Sequence, residues 1–322
     1  MCRTRSTTAA CRCRAQESSS PRRSRRPAGP GGSGASTELT SLARHAGYSY
    51  SGPCAAWAYK ALDLSKAKRV FLLGPSHSYY LRGCALTTFA KYATPFGDFA
   101  VDAAVTAELA KTGGFKTIPA DKDVAEHSLE MHLPYLWKRL EQTLGPDTAG
   151  WPTLVPVLVG DGSGAEEKAF ARLLVPYLRD PANAFVVSSD FCHWGRNFRY
   201  RVYCPGEDLA ELDALPAGGP KAGEPPVHEC IRVLDEAAFA AIETGAHDNF
   251  VDYLRLTENT VCGRHPIGVT MAALEILAEE KGDKGPGAKG EGRFTFVQYQ
   301  RSSLATRATD SSVSYAAAYA VV

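Results

Sequence analysis

The sequence predicts an α/β fold, a single domain with a central mixed sheet flanked by helices. Two observations carry this. The runs Arg69-Val-Phe-Leu-Leu73, Thr153-Leu-Val-Pro-Val-Leu-Val159 and Ala184-Phe-Val-Val-Ser-Ser189 have the length of strands and are mostly apolar throughout, as strands covered on both faces must be. Segments with helical spacing lie between and after them, and strands alternating with helices imply a sheet covered on both sides.

In chain order, the strand over 69–73 leads into the loop Gly74-Pro-Ser-His77, and residues 101–112 have helical spacing. The strand over 153–159 ends in Gly160-Asp-Gly-Ser-Gly164. No Lys-Ser/Thr follows those glycines, so they read as a turn and not as a phosphate loop. A helix over about 165–178 comes next, and Asp180-Pro-Ala-Asn183 turns the chain into the third strand. Helices are expected near 230–245 and 266–280, and strands at 293–300 and 313–320 close the pattern. Leu215–Pro226 and Lys281–Gly292, rich in Gly, Pro and Lys, read as surface insertions.

Composition sets the bounds. At 322 residues the chain can bury a sizeable core, and 44% hydrophobic with 22% charged residues is ordinary for a globular protein. Residues 1–40 form an Arg-, Ser-, Gly- and Pro-rich head that cannot bury enough apolar surface to fold; residues 41–322 form the α/β domain. The head is poor in acids and resembles an organellar transit peptide; a disordered extension or a misplaced gene start is the plainer reading. Removing its eight Arg and two Glu leaves 28 basic and 33 acidic residues, a net charge of −5, which argues against nucleic acid as a partner. No apolar run reaches the roughly 20 residues of a membrane span. The nine cysteines include no CxxC pair and follow no secretory signal, so reduced thiols in an intracellular, cytoplasmic setting are expected.

Chemistry-bearing side chains collect after the predicted strands, where loops line a crevice. His77 follows the strand over 69–73, and Asp190 and His193 follow the strand over 184–189. His45 opens a loop of its own, Cys262 and His265 sit just before a helix, and Glu126-His-Ser-Leu-Glu-Met-His132 adds His127, Glu130 and His132. A single histidine after a strand is usually structural; five segments converging on His, Asp or Cys point to a metal. Imidazole and thiolate suit iron, copper or zinc, and the sulfur tilts the set toward copper or zinc. Cys262 acting as a nucleophile with His193 or His77 as base is a weaker alternative. Cys192 reads as a packed thiol. Tyr48, Tyr50, Trp57 and Tyr59 fit either a pocket mouth or the margin of the core, and His228 and His247 fall in helical surface regions without an assigned role.

His45-Ala-Gly-Tyr, Gly74-Pro-Ser-His77, Glu126-His-Ser-Leu-Glu-Met-His-Leu-Pro-Tyr135, Ser188-Ser-Asp-Phe-Cys-His-Trp-Gly195, Cys262-Gly-Arg-His-Pro-Ile-Gly268 and Asp310-Ser-Ser-Val-Ser-Tyr-Ala-Ala317 together resemble the Memo family (mediator of cell motility), from about residue 43 to 320. The resemblance implies the fold of the class III extradiol dioxygenases, in which two His and a Glu hold iron. It implies that His45, His77 and Cys262 occupy that site, with a thiol in place of the carboxylate and with Asp190 and His193 lining the same pocket. Ring cleavage is therefore not inherited by default. What the resemblance does imply is metal-linked redox activity, with copper or iron as the ion, in regulation or signalling. His193 is the candidate acid/base if there is turnover. A non-catalytic adaptor that binds a phosphopeptide or protein partner in the same cleft is the other reading.

One stretch departs from the family. Ser36-Thr-Glu-Leu-Thr-Ser-Leu-Ala-Arg44 is a poor strand, with Arg44 where the family has proline. The expectation is a missing strand at the edge of the sheet and a loosely anchored His45.

Overall fold

The computed structural model describes residues 39–43, 45–206, 209–282 and 292–322. Nearly all of the Arg-rich head, and most of the insertion at 281–292, lie outside the described residues. In chain order the first elements are β1 (Leu39–Ala43), α1 (Tyr48–Ala61), β2 (Arg69–Pro75), β3 (Cys84–Leu86), β4 (Lys91–Thr94), β5 (Gly97–Ala100), α2 (Ala103–Lys111), β6 (Phe115–Thr117), α3 (Ala120–Ala125) and α4 (Leu133–Leu144). Then come β7 (Thr153–Val159), α5 (Gly164–Arg179), β8 (Asn183–Ser188), β9 (His193–Trp194), β10 (Val202–Tyr203), β11 (Asp213–Ala214), α6 (Val227–Glu243), α7 (His247–Thr257), α8 (Arg264–Glu280), β12 (Phe294–Arg301) and β13 (Ser312–Val321).

The main sheet has the order β12-β13-β1-β8-β2-β7-β3-β6, with β9 paired to β13. Its centre is parallel, β1 to β8, β8 to β2 and β2 to β7, while β13 and β3 run antiparallel to β1 and β7. The sheet is thus mixed, with helices on both faces. Side chains two apart share a face. Phe71, Leu73, Val155, Val157, Phe185 and Val187 belong to one core, packed with residues of α5, α7 and α8 such as Leu174, Phe250 and Ile267. Val70, Leu72, Leu154, Leu158 and Val186 belong to the opposite core, closed by Ala58 of α1, by Leu62 just after it, and by Leu136 and Leu140 of α4. Burial on both faces explains why β2, β7 and β8 lack alternation in sequence.

The segment expected to be a poor strand is the exception to that reading. Residues 39–43 form β1, an interior strand between β13 and β8, with Leu39 opposite Val321 and Ala43 opposite Ser188. Its small polar residues Thr40 and Ser41 are buried there. Two neighbouring strands supply the backbone hydrogen bonds and so override a weak local preference. The glycine-rich turn after β7 leads into an N-cap: Ser163 accepts from the Glu166 N–H, and the Glu166 carboxylate accepts from the Ser163 N–H at 2.8 Å, a reciprocal capping box that starts α5. Among the described residues, no helix is long and apolar enough to cross a membrane.

Candidate metal centre

β1, β8 and β2 run parallel and end side by side. The chain leaving each strand therefore emerges at one edge of the sheet, and His45, Asp190 and His77 lie within two residues of that edge. Cys262 arrives from the loop before α8. A Cβ at Gly263 would collide with the Ser188 carbonyl and the Ser189 side chain, so only glycine lets this loop press onto the end of β8. The Gly263 N–H donates to Ser189 Oγ at 3.1 Å, and the Asp190 N–H donates to Cys262 Sγ at 3.2 Å.

Among the described residues, one ligand atom each from His45, His77 and Cys262 lies within 4.8 Å of the others. Two overlapping sets meet the same criterion, His77 with Glu126 and His127, and Asp190 with His193 and Cys262. The hydrogen bonds around the imidazoles settle which nitrogens face the centre. Ser188 Oγ donates its one hydrogen to the Ser128 carbonyl at 2.8 Å, so at 2.7 Å it accepts from His45 Nδ1. His77 Nδ1 donates to Glu126 Oε1 at 3.0 Å. His193 Nδ1 faces the Phe191 and Thr260 carbonyls at 2.8 and 3.0 Å, both of them acceptors. In each of the three rings Nδ1–H is thus engaged by an outer partner, which leaves Nε2 as the nitrogen available to ligate, the arrangement in which outer partners orient a ligand. His45 Nε2 lies 3.2 Å from Cys262 Sγ. A tetrahedral ion bonded to sulfur and imidazole would hold those atoms ~3.5 Å apart. That pair is therefore close to the spacing a shared ion would require, and the third donor, on His77, lies within 4.8 Å of both.

Electrostatics favour the ligating form of His45 but oppose that of Cys262 while no cation is near. Burial, followed by the nearby His77, His127 and His193, holds the His45 pKa well below its ordinary value, so its ring is neutral and able to ligate. Burial raises the Cys262 thiol, and the Asp190 charge raises it further; a bound cation reverses both effects by stabilising the thiolate. Exposure is uneven: His45 is 3% exposed, whereas the side chains of His77 and His127 are 31% and 49% exposed. The pocket is closed behind His45 and opens over the His77–His127 pair, whose rings stack at 4.6 Å.

A model of the family described as Memo-like protein matches residues 23–319. The chain belongs to the Memo family. Among its relatives, Protein MEMO1 of Xenopus laevis is 43% identical over 281 residues, 87% of this chain and 84% of that one. Protein MEMO1 of Homo sapiens is 41% identical over 276 residues, 86% and 83% of the two chains. A MEMO1 family protein of Schizosaccharomyces pombe is 39% identical over 283 residues, 87% and 86%. A solved structure of an uncharacterized protein from Escherichia coli K12 aligns with a TM-score of 0.46 at 13% identity, over 88% of this chain and 99% of its own.

Not every residue singled out in this Memo-family sequence reaches the centre. His127 does, in the set with His77 and Glu126. Glu130 is exposed, one turn beyond. His132 is buried on the α1 side, where its Nδ1 meets the Tyr59 hydroxyl at 2.7 Å. His265 turns away, its Nδ1 2.6 Å from Glu167 and its Nε2 3.3 Å from Asp161. His247, expected at the surface, is fully buried, with Nε2 2.6 Å from the other Glu167 oxygen. A carboxylate reached across from α5 draws it inward. The side chain of His228, expected at the surface too, is only 19% exposed, 3.1 Å from Glu229. Cys192 is buried, as expected of a packed thiol. Tyr48 and Tyr59 line a cavity between α1 and α4, while Tyr50 and Trp57 point outward from α1.

Sequence reasoning passed over Glu126, Ser128 and Ser188. Glu126 is 4% exposed and takes the His77, Ser78, His127 and Ser128 N–H groups at 2.6, 3.1, 2.9 and 3.0 Å. Its place at the head of the Glu126-His-Ser motif, directly before a predicted ligand segment, was the available signal.

Proposed function

We propose that this Memo-family chain binds one redox-active metal ion, copper or iron, through His45 Nε2, His77 Nε2 and Cys262 Sγ, and serves in redox regulation. Zinc suits the same donors. The observation that carries the reading is the convergence of two imidazoles and one thiol within 4.8 Å, with both Nδ1 protons already engaged. Asp190 and His193 form an overlapping set through Cys262 and are placed to supplement the ligands. A bound copper or iron would supply one-electron chemistry. The chain's own part is to orient the donors through Ser188 and Glu126, to exclude water behind His45, and to offer His193 Nε2 as a proton acceptor. A thiolate in the set is softer and more oxidisable than a carboxylate, which argues for redox control over ring cleavage.

Metal analysis of the purified protein tests this. Near-stoichiometric copper or iron is expected, and Cys262→Ser, which keeps the size but removes the soft donor, should weaken metal affinity at least tenfold. Equal metal retention by the variant would remove Cys262 from the coordination sphere.

A further inference from the structure

A second cavity lies away from the proposed ligands, between α1, α4 and the turn joining β4 to β5. Its volume is about 800 Å³, inside the ~300–1,000 Å³ range of pockets that hold small organic ligands. Its apolar wall is aromatic: Tyr59 and Tyr135 stack with ring centroids 5.4 Å apart, and Tyr48 stands 5.8 Å from Tyr135. Phe96, in the β4–β5 turn, and Tyr48 are 47% and 43% exposed, large apolar surface left open to water at the same place. Hydrogen bonds fix the wall, Tyr59 to His132 and the Tyr48 hydroxyl to the Met131 carbonyl at 3.1 Å.

The charged side chains that line the cavity are basic. Lys60, Lys138 and Arg139 line it, and no Asp or Glu does among the described residues. Lys138 Nζ lies 4.6 Å from the centre of the Phe96 ring and donates to Glu141 at 2.8 Å, an exposed surface pair that a bound anion would share. Arg139 is held in place by donating Nε–H to the Leu62 carbonyl at 2.8 Å. An aromatic trough rimmed by cations is complementary to a molecule with an apolar body and one anionic head.

We infer that this cavity binds an amphiphilic organic anion, a medium-chain or aromatic carboxylate or sulfonate. Its body lies against Tyr59, Tyr135 and Phe96, and its head meets Lys138 and Arg139. The site is independent of the metal centre, because none of the proposed ligands lines it.

The probe is 8-anilinonaphthalene-1-sulfonate, titrated into the full chain and followed by fluorescence. Saturable binding near 1:1 is expected, with displacement by decanoate at a concentration at least tenfold below that needed for decan-1-ol. Lys138→Glu, on a half-exposed side chain, and Phe96→Asp should each weaken the probe about tenfold or more while near-UV circular dichroism stays unchanged. Non-saturable binding, equal displacement by the alcohol, or unchanged affinity in both folded variants overturns the inference. Displacement by an acidic decapeptide but not by decanoate also overturns it, in favour of a peptide groove.

Discussion

Replacing Glu126 with Gln keeps the side chain's shape and removes its charge. In the native protein this carboxylate accepts four backbone N–H groups and the His77 Nδ1–H, with its side chain 1% exposed. Burial pushes its pKa up, but the bonds from His77 and the Ser128 N–H more than offset this and hold the carboxyl far below its usual range. An amide cannot satisfy the same partners, because one of its two ends is itself a donor facing donors. Hydrogen bonds to a buried charge contribute about 1.5–3 kcal/mol each, and a buried donor left unpaired costs about 1–3 kcal/mol. Loss of two such bonds gives an expected destabilisation of about 3–6 kcal/mol at neutral pH. The folded pKa is depressed, so the wild-type advantage is fully present above the unfolded carboxylate value of about 4.3. It is lost as pH falls below that value, by about 1.4 kcal/mol per pH unit. Urea unfolding followed by tryptophan fluorescence, from pH 7 down to about pH 3.5, measures both the size and the slope. A difference under ~0.5 kcal/mol at pH 7, or one that does not shrink in acid, would refute the account of Glu126 as an ionised anchor.

Ser188→Ala removes the acceptor that fixes the His45 tautomer, and partners of this kind are worth about 10- to 100-fold in metal affinity. Competition with a chromogenic chelator measures it, and an unchanged affinity would mean that the tautomer is set elsewhere. Glu167→Gln should destabilise the fold by uncoupling His247 and His265, which both bind its carboxylate at 2.6 Å. Burial lowers the His247 pKa, but the Glu167 and Asp248 bonds prevail and raise it, with Lys168 opposing and Glu275 also nearby. A raised folded pKa gives stability that is complete below the unfolded value of about 6.5 and is lost as pH rises through the folded value. The wild-type lead in thermal midpoint should therefore be larger at pH 6 than at pH 9; an equal or reversed lead would contradict it.

The central strands β2, β7 and β8 were legible because they are apolar on both faces, a property of the residues themselves. β1 was not, since Thr40 and Ser41 gain their burial from β8 and β13, which come from far along the chain. Helix α1 was hidden by the run Tyr48-Ser-Tyr-Ser-Gly-Pro53, whose Gly and Pro argue against a helix until Cys54 and Ala58 find the sheet. At the candidate metal centre, residue type and position near strand ends drew attention to a wider set of His, Asp and Cys, and only the family resemblance narrowed it to His45, His77 and Cys262. The part played by Glu126 was not legible, because it depends on four N–H groups turned toward one point, and backbone direction leaves no mark on composition. The inward turn of His247 likewise depends on a glutamate 80 positions away.

The position of β1 also constrains how the protein comes to be made. One of its neighbours is β13, about 280 residues later. During synthesis the early strand must wait with one edge unsatisfied until about 280 further residues have been made, and pairings that close such long loops form slowly. The loop that carries His45 hangs from that strand, so the proposed ion site should be among the last parts of the molecule to mature.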